Sequence, residues 1–394
     1  MSALLKSTRR YLEAQRKSSK MIYFVGMSIL FSGLINLFLP ARVFFCIVII
    51  LAILIGNREV LGRANKNYIL IPILLFSCAA FYINFIVDTS PVVKEVLTRL
   101  TILFPLSVIF GYVVTKSQEL KSFSLGYSLP VYFTTLLIPY ELFVAPLLTR
   151  NPNYFIADRF GFSRIAFFVE HPLILGAHLT LIASFLILNI SPRGRVFTLI
   201  LVIASISTLS LGPSLIILGL LILRRFSLIR NIGKYLVAIT TSLLALFIFA
   251  AVKGISSDIL TLSTFGISIN YRAIIYGNLI PKALSENPIG FGLGGLQEGL
   301  YRVNLSNYSV DMAKSVDSQP ALLVLQGGWL LLIPYLMLCV FLLRRAWESD
   351  YRAYPALVSI LLGFFVPIQA FTSSCVIQGI LIGMAFLRRA DVNK

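Results

Sequence analysis

The chain is poor in charge and nearly devoid of histidine. Only 13% of its 394 residues are Asp, Glu, Lys or Arg and two are His, while 58% are apolar, with a mean hydropathy of +0.88. A water-soluble domain cannot cover itself with so little polar surface, so that class is excluded. There is no Asp-x-Asp or His-rich cluster with metal-ligand spacing, and no metal is expected. The four cysteines, Cys46, Cys78, Cys339 and Cys375, all lie in apolar runs and form no disulfide framework. No Walker loop is present, and the glycine run GFGLGGL at 290–296 follows no soluble strand. That argues against a dinucleotide cofactor and against an ATP-driven pump. No internal two-fold repeat of the kind secondary carriers show is visible. No small-x-small cleavage site precedes Pro40, so residues 1–20 read as a basic cytoplasmic tail before a retained first span.

What fills the chain instead is apolar runs, at about 21–39, 42–56, 68–87, 97–115, 123–145, 173–190, 195–211, 213–223, 234–252, 320–343, 355–371 and 375–388. A spanning helix needs roughly 20 mostly apolar residues. The pattern predicts an all-α polytopic membrane protein of about 12 transmembrane helices. The break Leu211-Gly212-Pro213 divides a long uncharged stretch into two short spans or half-helices.

Basic residues set the orientation. On this count the tail, the loops near 57–67, 116–121, 191–195, 224–234 and 344–354, and the C-terminal end share one side. They hold 23 of the 34 Lys and Arg but 6 of the 16 Asp and Glu. By the positive-inside rule that side is cytoplasmic, with both termini. The net charge of +18 is then a topology signal, and nucleic acid is not an expected partner. The chain divides into the tail 1–20, a bundle over 21–252 with a loop at 146–172, and a large loop at 253–319 before the third-last helix. C-terminal helices over 320–388 and a short tail at 389–394 follow. Both long loops fall on the non-cytoplasmic side, where long loops tend to carry function.

The first long loop concentrates Arg150, Asp158, Arg159, Arg164, Glu170 and His171. Glu170-His171-Pro172 also suits a helix cap. His178, two turns further on, is either an intramembrane functional group or a neutral imidazole bonded between helices. Arg99 and Glu141 sit near helix ends, paired or snorkelling. In the second loop, apolar spacing over 271–284 predicts a helix lying flat at the interface, opened by Arg272 and ended by Asn287-Pro288. Asp317, Ser318 and Gln319 stand directly before the next span, facing an outward cavity or capping the helix.

Three blocks carry a family resemblance: SRIAFFVEHPLILGAHL, NYRAIIYGNLIPKALSENPIGFGLGG and SVDSQPALLVLQGGW. In their order and spacing, and in span count and the late position of the large loop, the chain resembles the O-antigen ligase and O-antigen polymerase superfamily of bacterial polysaccharide assembly. Ligases of that family usually carry a His-Asn pair at the third block. Here Asp317-Ser318-Gln319 stands there, closer to the pattern of polymerases. The Arg that family members often place between the middle spans is replaced by Leu211-Gly212-Pro213.

The resemblance implies glycosyl transfer on the periplasmic face of a bacterial inner membrane. Donor and acceptor are polyprenyl-pyrophosphate-linked oligosaccharides, and membrane lipid, a chain-length regulator and a flippase are the implied partners. No cofactor is needed, because the lipid pyrophosphate is already activated. The implied roles are Asp317, then Glu170 or His171, for the acceptor proton, and Arg164 and Arg272, supported by Arg159, for the diphosphate. His178, Gln319, Arg99 and Glu141 are further candidates. Two alternatives stand: a ligase that moves the glycan to another acceptor, and a transporter or flippase without catalysis.

Overall fold

The computed structural model describes residues 19–56, 77, 79, 96–143, 169, 171–187, 195–208, 210–225, 232–253, 275–292, 302–305, 308–311, 318–348, 350–366 and 371–387. Among these, helices occupy the apolar runs; the run 68–87 lies outside the described residues but for Ser77 and Ala79. The helices are α1 (19–29), α2 (Ser32–Ile35), α3 (Ala41–Gly56) and α4 (Val96–Lys116, its turn Arg99–Leu103 wound as a π-helix). Then come α5 (Leu120–Thr135), α6 (Ile138–Phe143), α7 (Pro172–Ile187), α8 (Arg195–Ser207), α9 (Leu211–Arg225) and α10 (Ile232–Lys253). Next is α11 (275–286, opening with a π turn), and last α12 (Gln319–Trp347), α13 (Ala353–Gly363) and α14 (Thr372–Ala385). A hairpin of β1 (Arg302–Leu305) and β2 (Tyr308–Asp311) pairs antiparallel, with Val303 opposite Val310.

Three helices, α4, α10 and α12, are long and apolar enough to cross a membrane. Burial sorts the bundle by the same logic. Every residue of α13 and α14 is buried, whereas α8 and α10 expose apolar side chains such as Val196 (69%), Leu246 (59%) and Phe249 (58%). Large aliphatic and aromatic groups turned outward in this number suit lipid, not water.

Small residues let backbones touch. Ser107-x-x-x-Gly111 on α4 meets Gly379-x-x-x-Gly383 on α14 so closely that a Cβ on Gly111 would lie 2.0 Å from Ile380 O and one on Gly383 2.0 Å from Val108 O. Gly26 and Gly126 bring α1 and α5 together in the same way, a Cβ on Gly126 falling 2.2 Å from Tyr23 O. Such small-residue seams replace the hydrophobic drive that lipid does not supply. Both pairs run parallel: the thiol of Cys375 reaches Arg99 O at one end, Ser19 Oγ lies 2.8 Å from Ser122 Oγ at the other.

The helix directions collect cations on one rim. Lys20 opens α1, Lys116 ends α4, Lys121 opens α5, Lys234 opens α10, Arg344 and Arg345 end α12, and Arg352 precedes α13. Contacts tie these ends together. A Cβ on Gly233 would meet Tyr354 Oη at 2.6 Å and Ala346 O at 2.7 Å. Arg345 donates from Nη2 to Leu387 O (2.7 Å) and from Nε to Ala385 O (3.2 Å), closing the last turn of α14. Its Nη2 also lies 2.8 Å from Asp350 Oδ2, a charge contact without hydrogen-bond alignment, both side chains being enclosed.

α12 is not one rod. Gly328 takes φ +52°, ψ −136°, which interrupts the helix. A Cβ on Gly363 would lie 3.3 Å from Gln319 Cβ and 3.4 Å from Tyr335 Oη, so these two groups are within about 7 Å of each other. Sixteen residues of straight helix would part their backbones by about 24 Å. The first arm, 319–327, therefore folds back against the second, 329–347. The break is filled by 287–292: Trp329 N–H donates to Pro288 O (2.9 Å), Phe291 N–H to Leu325 O (2.8 Å) and Gly292 N–H to Gln326 O (2.9 Å). Backbone groups freed by the kink thus find partners inside the protein, the condition for irregular chain at membrane depth. Gly290, at φ +84°, and Gly328 pack backbone to backbone, where any Cβ would collide.

The second arm is bracketed by the chain's two tryptophans, Trp329 (40% exposed) and Trp347 (62%). They stand about 27 Å apart along the helix, close to the thickness of a hydrocarbon core. The stripe of α11 (Ile275, Leu279, Ile280, Ala283) is buried against α10 and α12. Tyr276 meets the start of the first arm and Pro288 its end. α11 therefore runs alongside that arm, and its apolar face is covered by protein.

Candidate functional site

In the half of the bundle away from the cations, the starts of α7, α9, α11, α12 and α14 and the end of α13 are linked by a series of contacts. The Tyr276 hydroxyl of α11 donates to Ser318 Oγ, the residue before α12, and lies 3.2 Å from Phe364 O, just past α13. Phe247 of α10 stands edge-on to Tyr276 (5.7 Å) and to Phe364 (6.4 Å). Gln319 packs against Gly363, and Phe365 against Gly212 at the start of α9. Pro213 in turn touches Gly176 of α7. His171 stacks on Phe371, the residue before α14, at 6.1 Å and 29°.

This cluster is sunk into the bundle. α13 spans about 16 Å from the basic rim, so Gly363 stops roughly 10 Å short of the level of Trp329. The stretches that meet there, 243–249, 275–279, 318–326, 331–338 and 360–366, carry no charged side chain. Its polar groups are hydroxyls, amides and exposed helix ends.

The candidates from sequence divide accordingly. Arg159, Arg164, Glu170, Arg272 and Asp317 lie outside the described residues, as does most of the loop 146–172. Their described neighbours are in the cluster: His171 follows Glu170, Ser318 follows Asp317, and Tyr276 stands four positions after Arg272. His171 is half-buried and its Nδ1 accepts the Leu173 N–H at 3.1 Å, capping α7. That leaves Nε2 as the nitrogen able to carry the proton of a neutral ring. Gln319 is buried (1% exposed) at the first turn of α12.

His178 has the interhelical geometry. It is wholly enclosed, with Tyr127 Oη 2.6 Å from Nδ1 and Ser373 Oγ 3.2 Å from Nε2. A neutral ring protonated on Nε2 satisfies both, accepting from Tyr127 and donating to Ser373, and so joins α5, α7 and α14. Arg99 opens the π turn of α4 beside α3 and α14, and Glu141 is enclosed on α6, which packs on α8. Among the described residues no three His, Cys, Asp or Glu gather as metal ligands.

Sequence reasoning missed Tyr276, Ser318 as its partner, and the aromatic pair Phe247 and Phe364. Tyrosine inside an amphipathic stripe carries no signal of its own. The fold-back of α12 did leave one, the pair Gly327-Gly328 within an otherwise apolar span. The sequence matches no known family model and no curated protein. What the described residues define on their own is a membrane-associated helical bundle with a recessed polar cluster on the side away from its basic rim.

Proposed function

We propose that the chain is a multi-pass inner-membrane glycosyltransferase of about 12 spans with both termini cytoplasmic. It polymerises polyprenyl-pyrophosphate-linked oligosaccharide repeats into a surface polysaccharide on the periplasmic face. The observation that carries the reading is the bond from Tyr276 to Ser318, which joins two of the three blocks that resemble the ligase and polymerase superfamily, while α7, which carries the third, is linked to them through Pro213, Gly212 and Phe365.

In the reaction an acceptor sugar hydroxyl attacks the anomeric carbon of the donor. The new C–O bond forms as the bond to the pyrophosphate breaks, and the diphosphate leaves on its lipid. Asp317, or Glu170 or His171, takes the hydroxyl proton. Arg164 and Arg272, with Arg159, hold the diphosphate charge by bidentate contacts. A recessed site among lipid-exposed helices suits a substrate whose tail stays in the bilayer.

The test is purified protein supplied with a lipid-linked repeat unit. A ladder of longer glycans with release of polyprenyl pyrophosphate supports polymerase action. Transfer only to a different acceptor identifies a ligase. The broken α12 also suits a carrier; movement of intact substrate across vesicles with no new glycosidic bond would establish that reading and end this one.

A further inference from the structure

We infer that Tyr276 is a positioning residue, whose hydroxyl locks the start of α11 to the start of α12 and the end of α13 and so sets the register of the cluster's described elements. Its functional consequence rests on the glycosyl-transfer reading; its geometry does not. The Tyr276 hydroxyl shares its proton between Ser318 Oγ and Phe364 O, so one atom holds three elements, α11, α12 and α13. Phe247 fixes the ring from the side. At its other end α11 is already pinned, because 288–292 is bonded into the break of α12. Toward its start α11 is held by apolar packing on α10 and α12, which is non-directional and sets no exact register. The hydroxyl sets that register at the start of α11, four positions after Arg272 in the sequence. Diphosphate and acceptor must be held together within a fraction of an ångström for in-line transfer, and a misplacement of about 1 Å costs on the order of 100-fold.

The experiment pairs turnover with distance. Tyr276→Phe keeps the ring against Phe247 and deletes only the hydroxyl. The expected result is a fall in kcat of about 10- to 100-fold with KM for the lipid-linked donor within about threefold. Ser318→Ala should reproduce the loss, and the double variant should be no worse than either single one. In parallel, spin labels at Lys282→Cys on α11 and Val340→Cys on α12, with the four native cysteines replaced, report the distance between the two helices. Both sites are exposed. Tyr276→Phe should broaden that distribution while the melting temperature in detergent stays within a few degrees. An unchanged distribution overturns the lock, and so does unchanged kcat or a multiplicative loss in the double variant. If the unaltered chain turns over no lipid-linked glycan, the function proposed above fails, while the distance measurement still decides whether Tyr276 is the lock.

Discussion

On the proposed reading the guanidinium groups hold the donor while the His178 imidazole holds helices together, and substitution separates the two roles. A guanidinium that grips a diphosphate contributes through two parallel N–H donors, geometry an ammonium cannot copy. Arg164→Ala and Arg272→Ala should therefore abolish polymer while the protein remains in the membrane, and the Arg→Lys variants should also be poor. Normal chain length in the Ala variants would remove these residues from the mechanism. His178 should behave otherwise. Both its ring nitrogens are already engaged by Tyr127 and Ser373. His178→Ala removes the ring partner of two enclosed hydroxyls, leaving Tyr127 only the long contact to the backbone carbonyl of residue 178 (3.4 Å), and opens a cavity, a loss of about 3 kcal/mol. It should appear as a lower unfolding midpoint, with turnover per folded molecule nearly intact. His171→Ala, at the half-buried start of α7, should instead lower turnover more than stability. The reverse pairing would exchange the roles of the two histidines.

Elements are held by close backbone approach, and glycine positions test it. Gly328→Ala meets both a positive φ and Pro288 O at 2.0 Å, so the kink of α12 or the docking of 287–292 must give way. Gly383→Val drives a side chain into Val108 O and should part α4 from α14. Each should cost about 1–3 kcal/mol or more in unfolding and reduce folded yield. Gly219→Ala is the control, since nothing lies within 4 Å of its Cβ position, and it should be neutral or slightly stabilising. These seams also show what the sequence could and could not disclose. Apolar runs marked α3, α4, α7, α10 and α14 to within a few residues, because helix and hydropathy obey the same lipid constraint. The interruption expected at Leu211-Gly212-Pro213 falls just before it: α8 ends at Ser207, and these three residues form the first turn of α9. The fold-back at Gly328 escaped because hydropathy ignores backbone dihedrals. α11 was legible as a helix but not in its placement: a buried stripe looks the same whether lipid or protein covers it. Tyr276 was beyond reach, since its partners stand 42 and 88 positions away.

At the scale of the whole molecule, the proposal needs the cluster and the cations on opposite sides of the bilayer. The bundle places Lys121 and Lys234 on the basic rim and Lys282 on α11, which runs toward Trp329. All three side chains are exposed. With native cysteines replaced, Lys121→Cys, Lys234→Cys and Lys282→Cys give single thiols for a maleimide that cannot cross membranes. In whole cells with a permeable outer layer, Lys282→Cys should label at once, while the other two should label only after the inner membrane is opened. Positive-inside bias predicts this sign, because basic loops resist translocation. The opposite pattern would turn the cluster toward the cytosol, away from carrier-linked glycan delivered outside. Labelling of all three in sealed cells would mean that the bundle does not span at all, and that the 27 Å separation of the tryptophans, about a bilayer's thickness, has another cause.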